Sequence, residues 1–280
     1  MSIHDQNYVR YEGVIDDRAL WITIATTTLR IFIKFLRTKL ILIFLWIFPL
    51  VMGVLVMAEY VARSNGLSTG KPGAEYVSLF IQGVTFSTIL LFMASGAGVI
   101  ADDLRYKTIQ LYFSKPLSKF DYIFGKFLGI FILGSLVSII PSFFVGMLRI
   151  AMYAKTDFLK PVAADMGIAW LIIIAMNAFI SILLIGLSAL SDRKGYVELS
   201  WIGVMVVPFV LSQIVGIATQ DEGFARLWSL SGNIRLVSDW VLGEKALEGI
   251  LWVSPAILVL ATIGGIFALY WRVSKLEGVA

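Results

Sequence analysis

"MGIAWLIIIAMNAFISILLIGLSAL", residues 166–190, runs for 25 residues without an acid, a base or a proline, and its reading decides the fold. A bilayer core of about 30 Å is crossed by about 20 mostly apolar helical residues. This stretch is therefore long enough to span a membrane with some tilt. Five further stretches read the same way: Leu40–Ala58, Val77–Ala101, Phe127–Ile150, Leu199–Thr219 and Ile250–Trp271. Their hydroxyl residues (Ser87, Thr88, Ser135, Ser138 and, in the quoted stretch, Ser181) bond back to their own helix or across to a neighbour, so they interrupt nothing. One such stretch alone is equally a buried helix of a soluble protein. Six in succession are not, and the expectation is an all-α polytopic membrane protein with six transmembrane helices.

Composition agrees. The chain has 280 residues, 59% hydrophobic and only 15% charged, and a mean hydropathy of +0.87. Soluble domains run at about 25% charged. An ordinary cytosolic enzyme, a disordered chain and a nucleic-acid-binding domain are excluded, although the net charge is +4 and the pI about 9.2. The basic excess is a matter of placement: 15 of the 23 Lys and Arg fall in segments 1–39, 102–126, 191–198 and 272–280. By the positive-inside rule those segments, and with them both termini, are cytoplasmic. No nucleic acid is needed to explain the charge. Without cysteine, and with His4 as the single histidine, no disulfide, thiolate or multi-histidine metal site is available. The charge-rich residues 1–39 lack the short basic start and apolar core of a cleavable signal, so the first span is expected to be a retained anchor.

Between their ends the spans carry no Asp, Glu, Lys, Arg or His; Glu59, Arg149, Glu198 and Arg272 come at the edges, where side chains snorkel. That lowers ion-coupled transport and intramembrane catalysis, both of which need ionisable groups at depth. Pro49, Pro141, Pro208 and Pro255 lie within spans, as gates or simply as helix-shaping kinks. The pairs Ala94/Gly98, Gly125/Gly129 and Gly264/Ala268 allow close helix contact within a subunit or between two.

Three segments lie outside the spans. In Ala19–Lys39, Ile24, Ile31, Phe32 and Phe35 form an apolar stripe and Arg30, Lys34 and Arg37 a basic one, the pattern of a helix lying in the interface against lipid headgroups. In Gln220–Gly249 two amphipathic stretches, carrying Trp228 and Trp240 and broken at Ser231-Gly232-Asn233, read as short helices dipping into the outer interface. The third segment is the loop Asp102–Lys126, "DDLRYKTIQLYFSKPLSKFDYIFGK". Asp102 and Asp103 suit a helix N-terminus. Lys115-Pro116 ends a short helix, and Ser118 caps the next, which runs through Tyr122 and Ile123 into the third span. A charged, aromatic helix of this kind suits a groove on a soluble partner, and equally a plain solvated loop.

The run "IADDLRYKTIQLYFSKPLSKFDYIFGKFLG", residues 100–129, resembles the corresponding loop of type-2 ABC exporter permeases. The stretch "LYFSKPLSKFDYIFGK" is similar to the subgroup that includes the permease for copper-site maturation of nitrous oxide reductase. Many such permeases have Gly before the Thr and Glu two residues after it, where this chain has Lys107 and Gln110. The resemblance implies six spans, an interfacial N-terminal helix and a cytoplasmic coupling helix. It also implies an ATPase-docking surface made by Asp102, Asp103, Arg105, Tyr106, Lys107, Gln110, Tyr112, Lys115 and Pro116.

Along the chain the organisation expected is a cytoplasmic segment 1–39, a transmembrane domain 40–271 and a tail 272–280. No phosphate loop GxxxxGK[ST] is present. The chain is thus expected to bind no cofactor and catalyse nothing itself. ATP and Mg2+ belong to a separate ABC ATPase dimer, and a second copy of the chain or a similar permease completes the pathway. The resemblance places the assembly in a bacterial inner membrane and makes it an exporter. A scaffold or force-transmitting subunit driven by such an ATPase, and a secondary transporter, remain as alternatives.

Overall fold

In the computed structural model, residues 20–67, 75–109, 118–243 and 252–277 are described, and among them every regular element is helical. The first span joins α2 (Leu36–Leu45) to α3 (Ile47–Ser64) through a turn at Trp46. The second joins α4 (Glu75–Leu91) to α5 (Gly98–Arg105) through a π-helical turn at Phe92–Gly96. The third is a pair, α6 (Lys119–Ser135) and α7 (Ile139–Tyr153), bent by 41°. The fourth is the continuous α8 (Leu159–Ala189). The fifth joins α9 (Lys194–Trp201) to α10 (Val207–Thr219) through a second π-helical turn at Ile202–Val206, and α13 (Val253–Glu277) is the sixth.

Five helices qualify as spans directly, and the bent pair supplies the sixth. The second and fourth form the centre, with 78% and 56% of their most apolar windows buried. The first, fifth and sixth bury 22%, 11% and 17% there, and so leave most of their surface to lipid or to another subunit.

Each in-span proline lies in the first turn of a helical segment: Pro49 in α3, Pro141 in α7, Pro208 in α10 and Pro255 in α13. Proline is tolerated there because first-turn N–H groups have no intrahelical acceptor. The breaks are stitched by neighbouring helices. Trp46 donates its indole N–H to the Leu136 carbonyl at the bend of the third span, 3.0 Å. Trp201 donates to the Ile89 carbonyl, 3.1 Å, just before the wide turn of the second span. Beyond that turn the Ser188 hydroxyl donates to Ala97 O (2.9 Å) and accepts from the N–H groups of Ile100 (3.0 Å) and Ala101 (3.1 Å). One side chain thus fastens the backbone just past the wide turn to the fourth span, in keeping with the support that irregular backbone at membrane depth requires.

The N-terminal segment departs from a single two-faced helix. α1 (Leu20–Lys34) stops at Phe35, whose ψ of 128° is extended, and α2 starts anew without a capping side chain. The expected apolar stripe divides: Ile24 and Phe32 are buried, whereas Ile31 and Phe35 are 50% and 58% exposed. The buried side packs on Gly125 and Gly129 of α6. A Cβ at Gly125 would stand 2.7 Å from Ile24, and one at Gly129 would stand 2.9 Å from Thr28. The Gly125/Gly129 pair therefore serves contact within the subunit. At Gly264, by contrast, a Cβ would meet nothing; it is Gly265 that lies against Gly186 of the fourth span.

The outer segment also breaks elsewhere than expected. α11 (Glu222–Arg226) and α12 (Leu230–Val241) part at residues 227–229, and Ser231-Gly232-Asn233 lies in the first turn of α12. Ser229 caps that turn by accepting from Gly232 N, 3.0 Å, and Asn233 donates to the carbonyls of Leu227 and Ser229 at 2.9 and 2.8 Å. The polar residues that read as a breaker form the first turn of the helix, and the cap is Ser229 before them.

Candidate functional site

A groove of about 870 Å3 opens between the first, second and fifth spans beneath α11 and α12. Leu45, Ile89 and Met205, all buried, form its floor at mid-span. Phe44, Phe48, Phe86 and Phe209 line its walls. Gln82, Gln213, Glu222, Arg226 and Arg235 stand at the end beneath α11 and α12, so the groove is apolar at depth and polar at its mouth. Gly83 keeps one wall close to another: a Cβ there would land on the Phe48 ring. The spans lining the groove include the two with the least buried windows besides the sixth, so its open side faces whatever adjoins this chain in the membrane.

The mouth is built on Asp239. Its carboxylate accepts from the Ser78 hydroxyl at the top of the second span, 2.6 Å, and pairs with Arg226 at 3.2 Å and Arg235 at 3.7 Å; Arg226 also pairs with Glu222 at 2.8 Å. These contacts tie α11 and α12 to the central span. Trp228 and Trp240 point away from this network, 57% and 41% exposed, Trp228 in edge contact with Phe224 and Trp240 with Trp252.

At the opposite end, the second span runs to Arg105, four residues past the apolar stretch. Asp102 and Asp103 therefore sit in the last turn of α5, where the helix dipole disfavours them, and not at a helix N-terminus. Compensation comes from the third span. Lys126 Nζ lies 2.6 Å from Asp103 Oδ2, with the two side chains 6% and 16% exposed. Tyr122 donates its hydroxyl to the same oxygen at 2.8 Å, and Thr108 donates to Oδ1 at 3.0 Å. The first residues of the loop are thus pinned to the root of the next span. Ser118 caps α6 as expected, and Asp121, which the sequence reading did not single out, completes a capping box with it.

Of the residues expected at a docking surface, Asp103 turns inward into this cluster. Arg105, Tyr106 and Lys107 are exposed, and Asp102 is partly so. Lys107 has a left-handed φ of 57° directly after the helix end, the C′ position that favours glycine. That is a backbone reason for the Gly that many permeases with this loop carry there. Gln110, Tyr112, Lys115 and Pro116 lie outside the described residues. Arg30, Lys34 and Arg37 are exposed around the α1–α2 break.

Sequence reading missed Lys126 and Tyr122 as partners of Asp103. It also placed Glu59 and Arg149 wrongly, as snorkelling edge residues. Both are buried, at 7% and 3% exposure, and face each other at 3.6 Å, with Arg63 3.4 Å from Glu59 and Arg149 over the Tyr76 ring at 5.8 Å. Each residue stands about one turn from a span end, so snorkelling alone read plausibly; pairing across 90 positions left no local signal. Ser188 left none either. Among the described residues no group of three or more carboxylates or histidines gathers to hold a metal ion.

Over residues 30–230 the chain matches the family model described as ABC-2 family transporter protein. No curated protein matches it closely enough to count as a relative.

Proposed function

The chain belongs to the ABC-2 transporter family, and from that premise we propose that it is the permease subunit of an exporter driven by a separate ABC ATPase, with its groove as half of the translocation pathway. The observation that carries this reading is the groove itself: a chamber apolar at depth, polar at its mouth, and left open along spans that bury little of their surface within the chain. A second copy, or a similar permease, laid against the first and fifth spans closes it. The exposed Arg105, Tyr106 and Lys107 with the residues that follow dock the ATPase at the cytoplasmic end, and Asp103–Lys126 passes the displacement to the third span. ATP and Mg2+ act on the partner; this chain supplies the two-state element that they bias. Both termini are cytoplasmic in this arrangement, in a bacterial inner membrane, and Trp228 and Trp240 anchor the outer helices in the far interface. The narrower likeness to copper-site maturation permeases rests on the run Leu111–Lys126 alone. A force-transmitting subunit driven by the same ATPase is the second reading; the groove favours transport over it.

The test is co-purification with an ABC ATPase from the same cells, comparing wild type with Arg105→Glu and Tyr112→Ala. The variants are expected to lose the ATPase while keeping their own thermal stability. Undiminished binding by both would refute the docking assignment. Because the chain has no cysteine, Ser212→Cys gives a single maleimide target in the groove; its labelling in the complex is expected to change when ATP is added. Labelling indifferent to ATP would argue against a moving pathway and for the force-transmitting reading.

A further inference from the structure

The cationic patch at the α1–α2 break has a use of its own. Arg30, Lys34, Arg37 and Lys39 lie within ten residues, all exposed. Some cations elsewhere meet carboxylates, as Lys126, Arg149 and Arg226 do. Among the described residues these four meet none, whether by ion pair, hydrogen bond or ring contact. Interleaved with them are large apolar side chains turned outward: Ile31, Phe35, Leu36 and Leu40, at 50%, 58%, 70% and 58% exposure. That apolar strip continues without a gap into the outward face of the first span through Ile43 and Leu50, 68% and 65% exposed. The patch is also held in place. Ala25, Thr28 and Phe32 are buried on the other side of the segment, and the backbone at Trp21 and Ala25 comes within 3.0 Å of where Cβ atoms at Gly125 and Gly129 would be, so α1 cannot roll to hide its cations.

We infer that Arg30, Lys34, Arg37 and Lys39 form a docking surface for the headgroups of anionic phospholipids in the leaflet that α1 and α2 enter. The chemistry is that of clustered basic side chains at the polar boundary, with apolar neighbours sunk among acyl chains. Topological bias needs the charges only; it calls for neither their lack of partners nor the apolar groups between them. An acidic protein partner would meet the cations but would leave a strip of Ile, Phe and Leu against water, whereas the membrane satisfies both at once. The surface has a second consequence, because α1 is seated on the stretch of α6 that carries Lys126 between Gly125 and Gly129. Headgroups that steady α1 therefore steady the root of the third span and the Asp103 contact. Each cation near an anionic surface contributes about a fivefold gain in affinity, so the four together give ~10²–10³-fold.

The experiment uses the purified full chain, without any ATPase, so its outcome is independent of the permease reading. Thermal midpoints are compared in vesicles of phosphatidylcholine alone and of phosphatidylcholine with phosphatidylglycerol. Wild type is expected to gain stability with phosphatidylglycerol, and the gain is expected to vanish at about 1 M salt, where the Debye length is about 3 Å. The variant R30Q/K34Q/R37Q/K39Q is expected to match wild type in phosphatidylcholine and to show no gain. R30K/R37K, which keeps the charge, is expected to keep it. If the quadruple variant does not insert, the salt series and R30K/R37K decide. An equal gain in wild type and quadruple variant, or a gain in wild type that survives high salt, overturns the inference. Inorganic phosphate at millimolar concentration is expected to do nothing; a matching gain with phosphate would reduce the surface to a simple anion site and refute the membrane as its occupant.

Discussion

Breaking the Asp103–Lys126 pair tests whether the loop is held by charge or merely lies near the third span. At 2.6 Å and an effective dielectric of about 20, the attraction is about 6 kcal/mol. Most of that is spent on removing both groups from water, and losing one partner of a buried pair costs about 3–5 kcal/mol. The two truncations are not equivalent here. Lys126→Met leaves Asp103 with its hydroxyl donors Tyr122 and Thr108 and some exposure to solvent, so the cost should be about 2–3 kcal/mol. Asp103→Asn leaves an ammonium 6% exposed against a neutral amide, and should cost about 3–4 kcal/mol. The double variant should cost little more than the worse single one, giving a coupling energy of about 2 kcal/mol. Equilibrium unfolding of the detergent-solubilised chain measures the four corners of the cycle. ATPase stimulation in the assembled complex, measured beside it, should fall in both single variants. Additivity within about 0.5 kcal/mol would show that the pair does not hold the loop, and the transmission route from Asp103 to the third span would fail with it.

Ser188→Ala removes three hydrogen bonds at the start of α5 and leaves buried backbone groups unmet, so unfolding should be easier by about 2–4 kcal/mol; a loss under about 0.5 kcal/mol would mean that the wide turn satisfies itself. Lys107→Gly relieves a left-handed φ of 57° and should raise stability by about 1 kcal/mol; a lowered melting midpoint would contradict the assigned backbone. Gly125→Leu drives a side chain into Ile24 and the Trp21 carbonyl, and should lift α1 from α6 at a cost of about 1–3 kcal/mol. In that background Ala25→Cys, at a position 2% exposed in the native chain, should become reactive to maleimide; continued protection would refute the close packing. Arg149→Met should destabilise by about 3 kcal/mol, and by much less when combined with Glu59→Gln; equal losses in single and double variants would argue against the pair.

The spans were legible because 20-residue apolar windows are set by bilayer thickness, which leaves few alternatives. The cap at Ser118 was legible as well, since it depends on neighbouring residues, although its partner Asp121 was passed over. What the chain kept hidden are features whose cause lies far along it. The wide turn at Phe92–Gly96 contains no proline; Ser188 and Trp201, about 100 positions away, hold the backbone on either side of it. The apolar stripe of Ala19–Lys39 was visible as composition, but its division into a packed side and an exposed side was decided by Gly125 and Gly129. At the loop, Asp103 reads as a surface acid until Lys126 is brought under it.

A wide turn accommodates a residue more than the regular ladder, and one residue turns whatever follows by about 100° about the helix axis. The turn at Phe92–Gly96 therefore fixes the compass bearing of Asp102 and Asp103, about 13 Å further along the axis. Deleting one residue from it would leave the second span helical and buried, yet would swing Asp103 by about a quarter of a circle, away from Lys126. Indels at this place would thus act as a rotary adjustment between an unchanged membrane core and the end that meets the motor. Homologous chains that differ in length within these five residues should differ in which side of the loop they present, with no substitution at the contact surface.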